Sequence, residues 1–365
     1  MKIKIIASLI ILGLSASLLM FMFVTGCGVT TDGGPGFVGP RIYVSDTTNG
    51  TVTVIDPISL TVLGSIELPG ASAPKWMAIH PDGSKVYVSD YTANKIYIIN
   101  TSNNVVDSVD VTRPNGITLG EMSGQIYLYV LSPQITTPEV VMFNANTKVE
   151  KGAIWGNNKQ LHSACMAVDF CPLNQNLYIT VKDMSEGTLE AIYADTGYQN
   201  VSGIPMLNAY DIAIDPSGAT AYITSWWSST GKLVSMECLS KTIVASWDAT
   251  GGQGFRNVAV SPNGRYIIAS NHDYSYVDLI DNNSGLTPTA IQTNSGMVDY
   301  YPGAVEGVTF SPDNKKAYVV QNLDLGTSGT REVVIINTEG ASVEGTIALT
   351  TYPSTNHYFG IIYKP

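Results

Sequence analysis

The chain has 365 residues, of which 44% are hydrophobic and only 13% are charged, and its formal net charge is −11. This composition excludes an intrinsically disordered chain, which needs low hydrophobicity together with high charge. Because an acidic surface repels phosphate backbones, no nucleic acid is expected as a partner.

The N-terminus has the pattern of a secretory signal peptide. Lys2 and Lys4 form a positive start, an apolar run follows, and small residues precede Cys27. A Gly-Cys pair at this point resembles the lipobox of bacterial lipoproteins, which implies that the Cys is lipidated and becomes the new N-terminus. We therefore expect residues 1–26 to be a signal peptide and residues 27–40 to be the lipidated Cys and a flexible tether. An uncleaved transmembrane helix is the alternative, since about 20 apolar residues span a bilayer.

Either alternative predicts that the folded part lies outside the cytoplasm. A lipid anchor would hold it at the outer membrane, in the periplasm or at the cell surface.

From residue 41 onward, a strand-like string with an aromatic residue recurs seven times. Each repeat contains four short strands rich in β-branched and aromatic residues, and no helical period appears. Turns such as HPDG, DPSG, SPNG and SPDN follow the fourth string, where Pro presets a tight turn. The aromatic residues that align are Tyr43, Tyr87, Tyr127, Tyr178, Tyr222, Tyr266 and Tyr318.

A repeat of this length predicts a single all-β domain over residues 41–365, a seven-bladed β-propeller with four antiparallel strands in each blade. The first repeat begins with the second strand of a blade. The C-terminal string YFGIIY matches the innermost strands of the other repeats. We expect this last strand to join the N-terminal blade and close the ring.

The strings KVYVSD, TVTVID and IHPDGSKVYVSD resemble the YVTN family of β-propeller repeats, which occurs in surface-layer and in secreted or lipid-anchored proteins. The resemblance extends over roughly residues 41–365 and implies the fold. It implies little about chemistry, because one fold supports many functions.

The loops predict which face of the propeller binds a ligand. If the strands of a blade are named A to D from the inside out, the D–A and B–C loops lie on one face, called the loop face below. These loops are rich in aromatic residues, and such enrichment is typical of interface centres. Alternatively, the aromatic residues cap the cores between blades. The loop candidates are His162, Trp226, Trp227, His272, Asp273, Tyr274, Tyr300, Tyr301 and His357.

Alignment of the A strands predicts a ring of side chains at the channel mouth on the same face. A mixed ring with Lys, Arg and Glu suits a small polar or anionic ligand, although a solvated rim without function is an equal alternative. The ring consists of Lys75, Asn115, Met166, Tyr210, Arg256, Glu306 and Phe359.

Motifs for cofactors are absent from the sequence, so no cofactor or metal is predicted. The chain has no Cys-x-x-Cys-His, Walker or Gly-x-Ser-x-Gly motif. Three His with Asp273 and Glu306 could in principle hold a metal, but nothing in their spacing requires it. Cys165 and Cys171 are six residues apart in one strand, which predicts that they face the same side. With Cys238 they are interpreted as buried free thiols.

Two classes of function follow from this pattern. We expect a monomeric, non-catalytic binding module that recognises a protein, a glycan or a small ligand through its loop face. The alternative is a hydrolase similar to the lactonase relatives of this fold, with a polar or metal site at the channel mouth. A redox accessory is a weaker third option, because the cofactor motifs are missing.

Overall fold

The structure is a computed structural model that describes residues 39–134, 139–154, 164–182, 188–196, 199–206, 208–226, 231–250, 254–271, 275–284, 287–293, 305–324, 329–350 and 357–365. Within these residues the chain is all β, and its strands form seven four-stranded antiparallel sheets. No helix of the described chain is long and apolar enough to cross a membrane. The seven-bladed β-propeller predicted from the repeat is therefore confirmed.

Each blade is a meander whose innermost strand contacts the innermost strands of its two neighbours. From the inside out, the strands are β28 (Tyr358–Lys364), β1 (Arg41–Asp46), β2 (Thr51–Asp56) and β3 (Thr61–Glu67) in blade 1; β4 (Pro74–Ile79), β5 (Lys85–Asp90), β6 (Lys95–Asn100) and β7 (Val106–Asp110) in blade 2; β8 (Ile117–Met122), β9 (Gln125–Ser132), β10 (Glu139–Asn144) and β11 (Glu150–Ile154) in blade 3; β12 (Cys165–Cys171), β13 (Asn176–Val181), β14 (Thr188–Tyr193) and β15 (Gln199–Pro205) in blade 4; β16 (Ala209–Ile214), β17 (Thr220–Ser225), β18 (Lys232–Glu237) and β19 (Thr242–Asp248) in blade 5; β20 (Phe255–Val260), β21 (Tyr266–Asn271), β22 (Tyr276–Asp281) and β23 (Thr289–Gln292) in blade 6; and β24 (Val305–Phe310), β25 (Lys316–Asp324), β26 (Gly329–Asn337) and β27 (Ser342–Thr350) in blade 7.

The two ends of the domain complete one blade. The last strand, β28, pairs antiparallel with β1, with Tyr43 opposite Ile362. The amide of Thr47 also donates to the carbonyl of His357 (2.8 Å). This closure confirms the predicted role of the C-terminal string, and it gives the first strand of the domain a partner that the chain supplies only at its end.

In blades 2 and 4, the recurring tyrosine of the second strand ties its blade to the next. The hydroxyl of Tyr87 donates to the carbonyl of Ala145 in blade 3 (2.9 Å), and that of Tyr178 donates to the carbonyl of Cys238 in blade 5 (2.7 Å). The rings of both residues are buried. The neighbouring blade thus provides the hydrogen-bond partner of each of these two buried phenols.

Two members of the aligned set are corrected by the strand pairing. Tyr129 and Ile268, and not Tyr127 and Tyr266, lie opposite the same inner-strand position as the other tyrosines. Each error is two residues. Because side chains alternate along a strand with a period of two, a shift of two keeps the same face, and the sequence pattern does not distinguish the two registers.

The Pro-containing turns close as predicted. In each, the amide of the fourth residue donates to the carbonyl of the first, at 2.8 to 3.0 Å. The fourth residue has a positive φ, a conformation that Gly adopts most readily and Asn second most readily. These residues are Gly83 (71°), Gly218 (76°), Gly264 (72°) and Asn314 (63°).

The three cysteines of the propeller are buried and free, as interpreted from the sequence. The prediction that Cys165 and Cys171 face the same side is wrong: Cys165 packs between blades 3 and 4, and Cys171 packs between blades 4 and 5. A β-bulge between Cys165 and Val168 causes the difference. One extra residue reverses the alternation of side chains along the strand.

Candidate functional site at the channel mouth

The inner strands deliver their first side chains to one end of the central channel. In six of the seven blades, the pairing of the inner strand with the second strand is irregular at the position of the predicted ring. A β-bulge re-aims a side chain out of the regular alternation. The side chains of the predicted ring therefore lie at a β-bulge that recurs around the channel axis.

The Ser or Thr of the repeated strand string holds this irregularity in place. The hydroxyl of Thr180 accepts a hydrogen bond from a backbone amide of its own inner strand (3.0 Å) and donates to the carbonyl of Tyr210 in the next blade (2.9 Å). Ser45 makes the equivalent pair of bonds, with the second to the carbonyl of Lys75 (2.9 Å). Each mouth residue held in this way is positioned by the backbone and by the preceding blade.

Trp76 forms the floor of the mouth. Its indole nitrogen donates to the side-chain oxygen of Asn115 in blade 3 (2.9 Å). Its ring lies 5.3 Å from the ring of Phe359 in blade 1 and 6.4 Å from that of Tyr210 in blade 5, measured between centroids. Because it starts in blade 2 and contacts three other blades, the indole extends across the axis.

Below this floor, the inner strands of all seven blades line a cavity of about 440 Å³. Trp76 and Phe359 border it, whereas Lys75, Arg256 and Glu306 do not. The aromatic floor therefore separates the charged mouth from the interior of the channel.

Aromatic rings and cations form one wall of the mouth. The rings of Tyr210 and Trp226 meet edge to face, with their centroids 6.5 Å apart. The ammonium of Lys182 lies 4.2 Å from the Trp226 centroid, and the guanidinium of Arg256 lies 5.3 Å from it. Both cations also lie within 6 Å of the Tyr210 ring. These are cation–π distances.

A buried carboxylate lies beside this wall. Glu306 is fully buried, and its Oε1 accepts a hydrogen bond from Nη1 of Arg256 (2.6 Å). The Nε2 of His357 lies 3.3 Å from the same oxygen, and the His357 side chain is 41% exposed. The last blade thus presents the carboxylate, and the chain end brings the imidazole to it.

The two lysines of the mouth are held in an unfavourable environment for a cation. Burial lowers the pKa of Lys75 from its ordinary value, while the charge of Glu306 partly opposes this shift. Burial also lowers the pKa of Lys182, and repulsion from Arg256 and Lys75 lowers it further. The phenol of Tyr210 has a raised pKa because it is buried.

The structure brings six of the predicted site residues together: Lys75, Tyr210, Trp226, Arg256, Glu306 and His357. Asn115 and Met166 of the ring contact each other, and Asn115 also donates to the carbonyl of Cys165. The other predicted site residues lie outside the described residues: Cys27, His162, Trp227, His272, Asp273, Tyr274, Tyr300 and Tyr301. Among the described residues, no group of three or more His, Cys, Asp and Glu is arranged to hold a metal ion.

Sequence reasoning missed Trp76 and Lys182. Trp76 was assigned only to the strand, because the adjacent Lys75 occupies the aligned ring position. Lys182 directly follows the second strand of blade 4, as Trp226 follows that of blade 5. This shared offset was the signal that would have found it.

Comparisons with known proteins give the fold and no family. No family model matches the chain, and no curated protein matches it. A hypothetical selenium-binding protein from Sulfolobus tokodaii is 12% identical, with a TM-score of 0.67 over 91% of this chain and 96% of that one. Hydrazine synthase from Kuenenia stuttgartiensis is 16% identical, with a TM-score of 0.63 over 90% and 99%. Apo AztD from Citrobacter koseri is 12% identical, with a TM-score of 0.56 over 87% and 84%.

At these identities the likeness extends to the seven-bladed β-propeller fold alone. The resemblance to YVTN repeats stays a prediction from the sequence.

Proposed function

We propose that this protein is an extracytoplasmic, lipid-anchored binding module that holds a small ligand at the channel mouth without chemically changing it. One observation carries the proposal: aromatic and charged side chains from separate blades converge above Trp76, on the loop face. A concave site with aromatic walls and a few oriented polar groups is typical of ligand-binding sites.

Rigidity supports a binding role. The carbonyls of Lys75 and Tyr210 are fixed by hydroxyls of the preceding blades, so the backbone of the site is formed before any ligand arrives. Less conformational freedom is then lost on binding, and affinity gains accordingly. The anchoring part of the proposal comes from Lys2, Lys4 and Cys27 in the sequence.

The experiment is a thermal-shift screen of small polar metabolites against the domain, residues 39–365, and against its Trp226→Ala variant. Compounds that bind at the mouth should raise the unfolding temperature of the parent protein and lose this effect in the variant. Tyr193→Ala serves as the matched control. Tyr193 is an exposed aromatic residue, and it lies at the end of β14 that is away from the loop face.

The proposal fails if every compound that binds does so equally in the Trp226→Ala variant. Each compound that binds is also incubated with the protein and analysed by mass spectrometry. Turnover that is lost in Glu306→Gln would favour the lactonase-like hydrolase instead, whereas unchanged compounds support a binding module.

A further inference from the structure

Among the described residues at the channel mouth, cations outnumber carboxylates. Lys75, Lys182 and Arg256 all contact the aromatic rings of the site. In the part of the chain that the structure describes, Glu306 is the acid within salt-bridge distance of this group, and it pairs with Arg256. Neither lysine has a carboxylate partner among the described residues. In the described part of the mouth, three cations therefore face one carboxylate.

This arrangement contrasts with the molecule as a whole, whose formal net charge is −11. Lys182 and Arg256 lie over the same Trp226 ring, so their charges repel each other, and burial removes water that would screen them. Like charges held close together are unfavourable unless an opposite charge joins them. In an otherwise acidic protein, such a cluster points to a site that an anion completes.

We propose that the ligand of the channel mouth is a small oxyanion with two negative charges, a dicarboxylate or a phosphate group, bound by Lys75, Lys182 and Arg256. This inference rests on the proposed function and names the chemical class of its ligand. The guanidinium of Arg256 supplies planar donors that suit oxyanions, and the two ammonium groups supply mobile point charges. The rings of Tyr210 and Trp226 form one side of the site and exclude water from that side.

The test measures binding by calorimetry at constant ionic strength with four probes. Succinate is the dicarboxylate, inorganic phosphate is the phosphate group, acetate is a monoanion, and succinamide is the uncharged isostere of succinate. We expect succinate or phosphate to bind, acetate to bind at least tenfold more weakly than the better of the two, and succinamide to show no binding. Whether succinate or phosphate binds better distinguishes the two sources of the oxyanion.

Variants then assign the site. Lys182→Gln and Lys75→Gln should each weaken the binding of the better dianion at least tenfold, and Lys182→Arg should retain most of it. Lys316→Gln is the matched control, because Lys316 lies at the opposite end of its blade and pairs with Glu344. It should bind as the parent protein does.

A second readout separates binding from folding. Because Lys182 is repelled by its neighbours, Lys182→Gln should unfold without ligand at the same temperature as the parent protein or at a higher one. A variant that is as stable as the parent protein and binds the dianion more weakly supports the inference. A variant that is less stable and binds as well as the parent protein overturns it.

The failure of this inference differs from the failure of the proposed function. If succinamide binds as well as succinate, or if no anion binds while an uncharged compound binds in a manner that depends on Trp226, the oxyanion is overturned and the binding module stands. If no compound depends on Trp226, both are overturned.

Discussion

Trp76 is the residue on which the shape of the site depends most. It donates one hydrogen bond to Asn115 and packs against Phe359 and Tyr210. We expect Trp76→Ala to lower the free energy of unfolding by about 3 kcal/mol, as is typical when a large aromatic side chain is removed. Trp76→Phe keeps the floor and loses only the hydrogen bond, which contributes about 1 kcal/mol.

Urea unfolding of both Trp76 variants measures these effects. Binding at the mouth should weaken strongly in Trp76→Ala and mildly in Trp76→Phe, since the alanine variant joins the mouth to the cavity below. Equal stability of the two variants would contradict the role of the indole as a floor.

Asp211 makes the stability of the propeller depend on pH. Burial raises its pKa to about 7, although the amides of Ile212 and Val258 donate to its carboxylate. An unfolded Asp has a pKa of about 3.9. Between these values the folded protein keeps a proton that the unfolded chain has released, so the contribution of Asp211 to the free energy of unfolding falls as the pH rises from about 4 to about 7.

Asp211→Asn removes this titration. Relative to the variant, the parent protein should lose up to about 4 kcal/mol of unfolding free energy between pH 4 and pH 7. Chemical denaturation at several pH values measures the difference. Asp56→Asn should show the opposite sign, because a backbone hydrogen bond lowers the pKa of Asp56. A difference between the parent protein and Asp211→Asn that does not vary with pH would contradict the argument.

The ring closes through the pairing of two strands, β28 and β1. Gly360 lies in β28, and a Cβ atom there would lie 2.2 Å from the backbone oxygen of Lys75 in the neighbouring blade. Overpacking against backbone typically costs about 1–3 kcal/mol. We therefore expect Gly360→Ala to lower the unfolding temperature and to displace Lys75 at the mouth.

Gly345→Ala is the matched control for Gly360→Ala, because no atom beyond the adjacent residues lies within 4 Å of the Cβ position at this outer-strand glycine. It should unfold at the temperature of the parent protein. Removal of residues 358–365 should have a larger effect than either substitution, since β1 then loses its pairing with β28. Differential scanning calorimetry compares the three proteins, and a truncated chain as stable as the parent would contradict closure by β28.

The strands could be predicted from the sequence because their pattern repeats. The features that could not be predicted are departures from this regular pattern. The tight turns and the closing strand followed from Pro, Gly and alternation. The bulges did not, and one of them reversed the side predicted for Cys165. The alignment of Tyr127 in place of Tyr129 has another cause, because a shift of two residues leaves the side chains on the same face. The repeated Ser or Thr looked like part of a strand string, whereas its hydroxyl fixes the mouth.

For the whole molecule, the seven sequence repeats predicted the seven blades. The ring positions could be aligned from the sequence because the inner strands of six of the seven blades share the same irregularity there. The floor could not, because Trp76 extends across the axis and no local pattern records a contact between blades 2 and 5. Contacts that depend on ring closure are non-local, and sequence periodicity contains no information about them.

Only the N-terminal sequence supports the prediction that the molecule is attached to a membrane. If Cys27 is lipidated, the mature chain begins at that residue with acyl chains attached, and residues 1–26 are lost. Each buried CH₂ group contributes about 0.8 kcal/mol to membrane binding, so two chains hold a protein stably. A chain with a net charge of −11 gains nothing from anionic lipid surfaces, so the acyl chains alone must hold it.

Membrane association should therefore survive 1 M salt and end in detergent. Mass spectrometry of the N-terminal peptide should find lipidated Cys27 and no residue before it. Cys27→Ala should carry no lipid and should retain residues 1–26. An N-terminal peptide that still contains Lys2 and Lys4 in the parent protein would instead support an uncleaved helix, because the apolar run would then remain as the anchor.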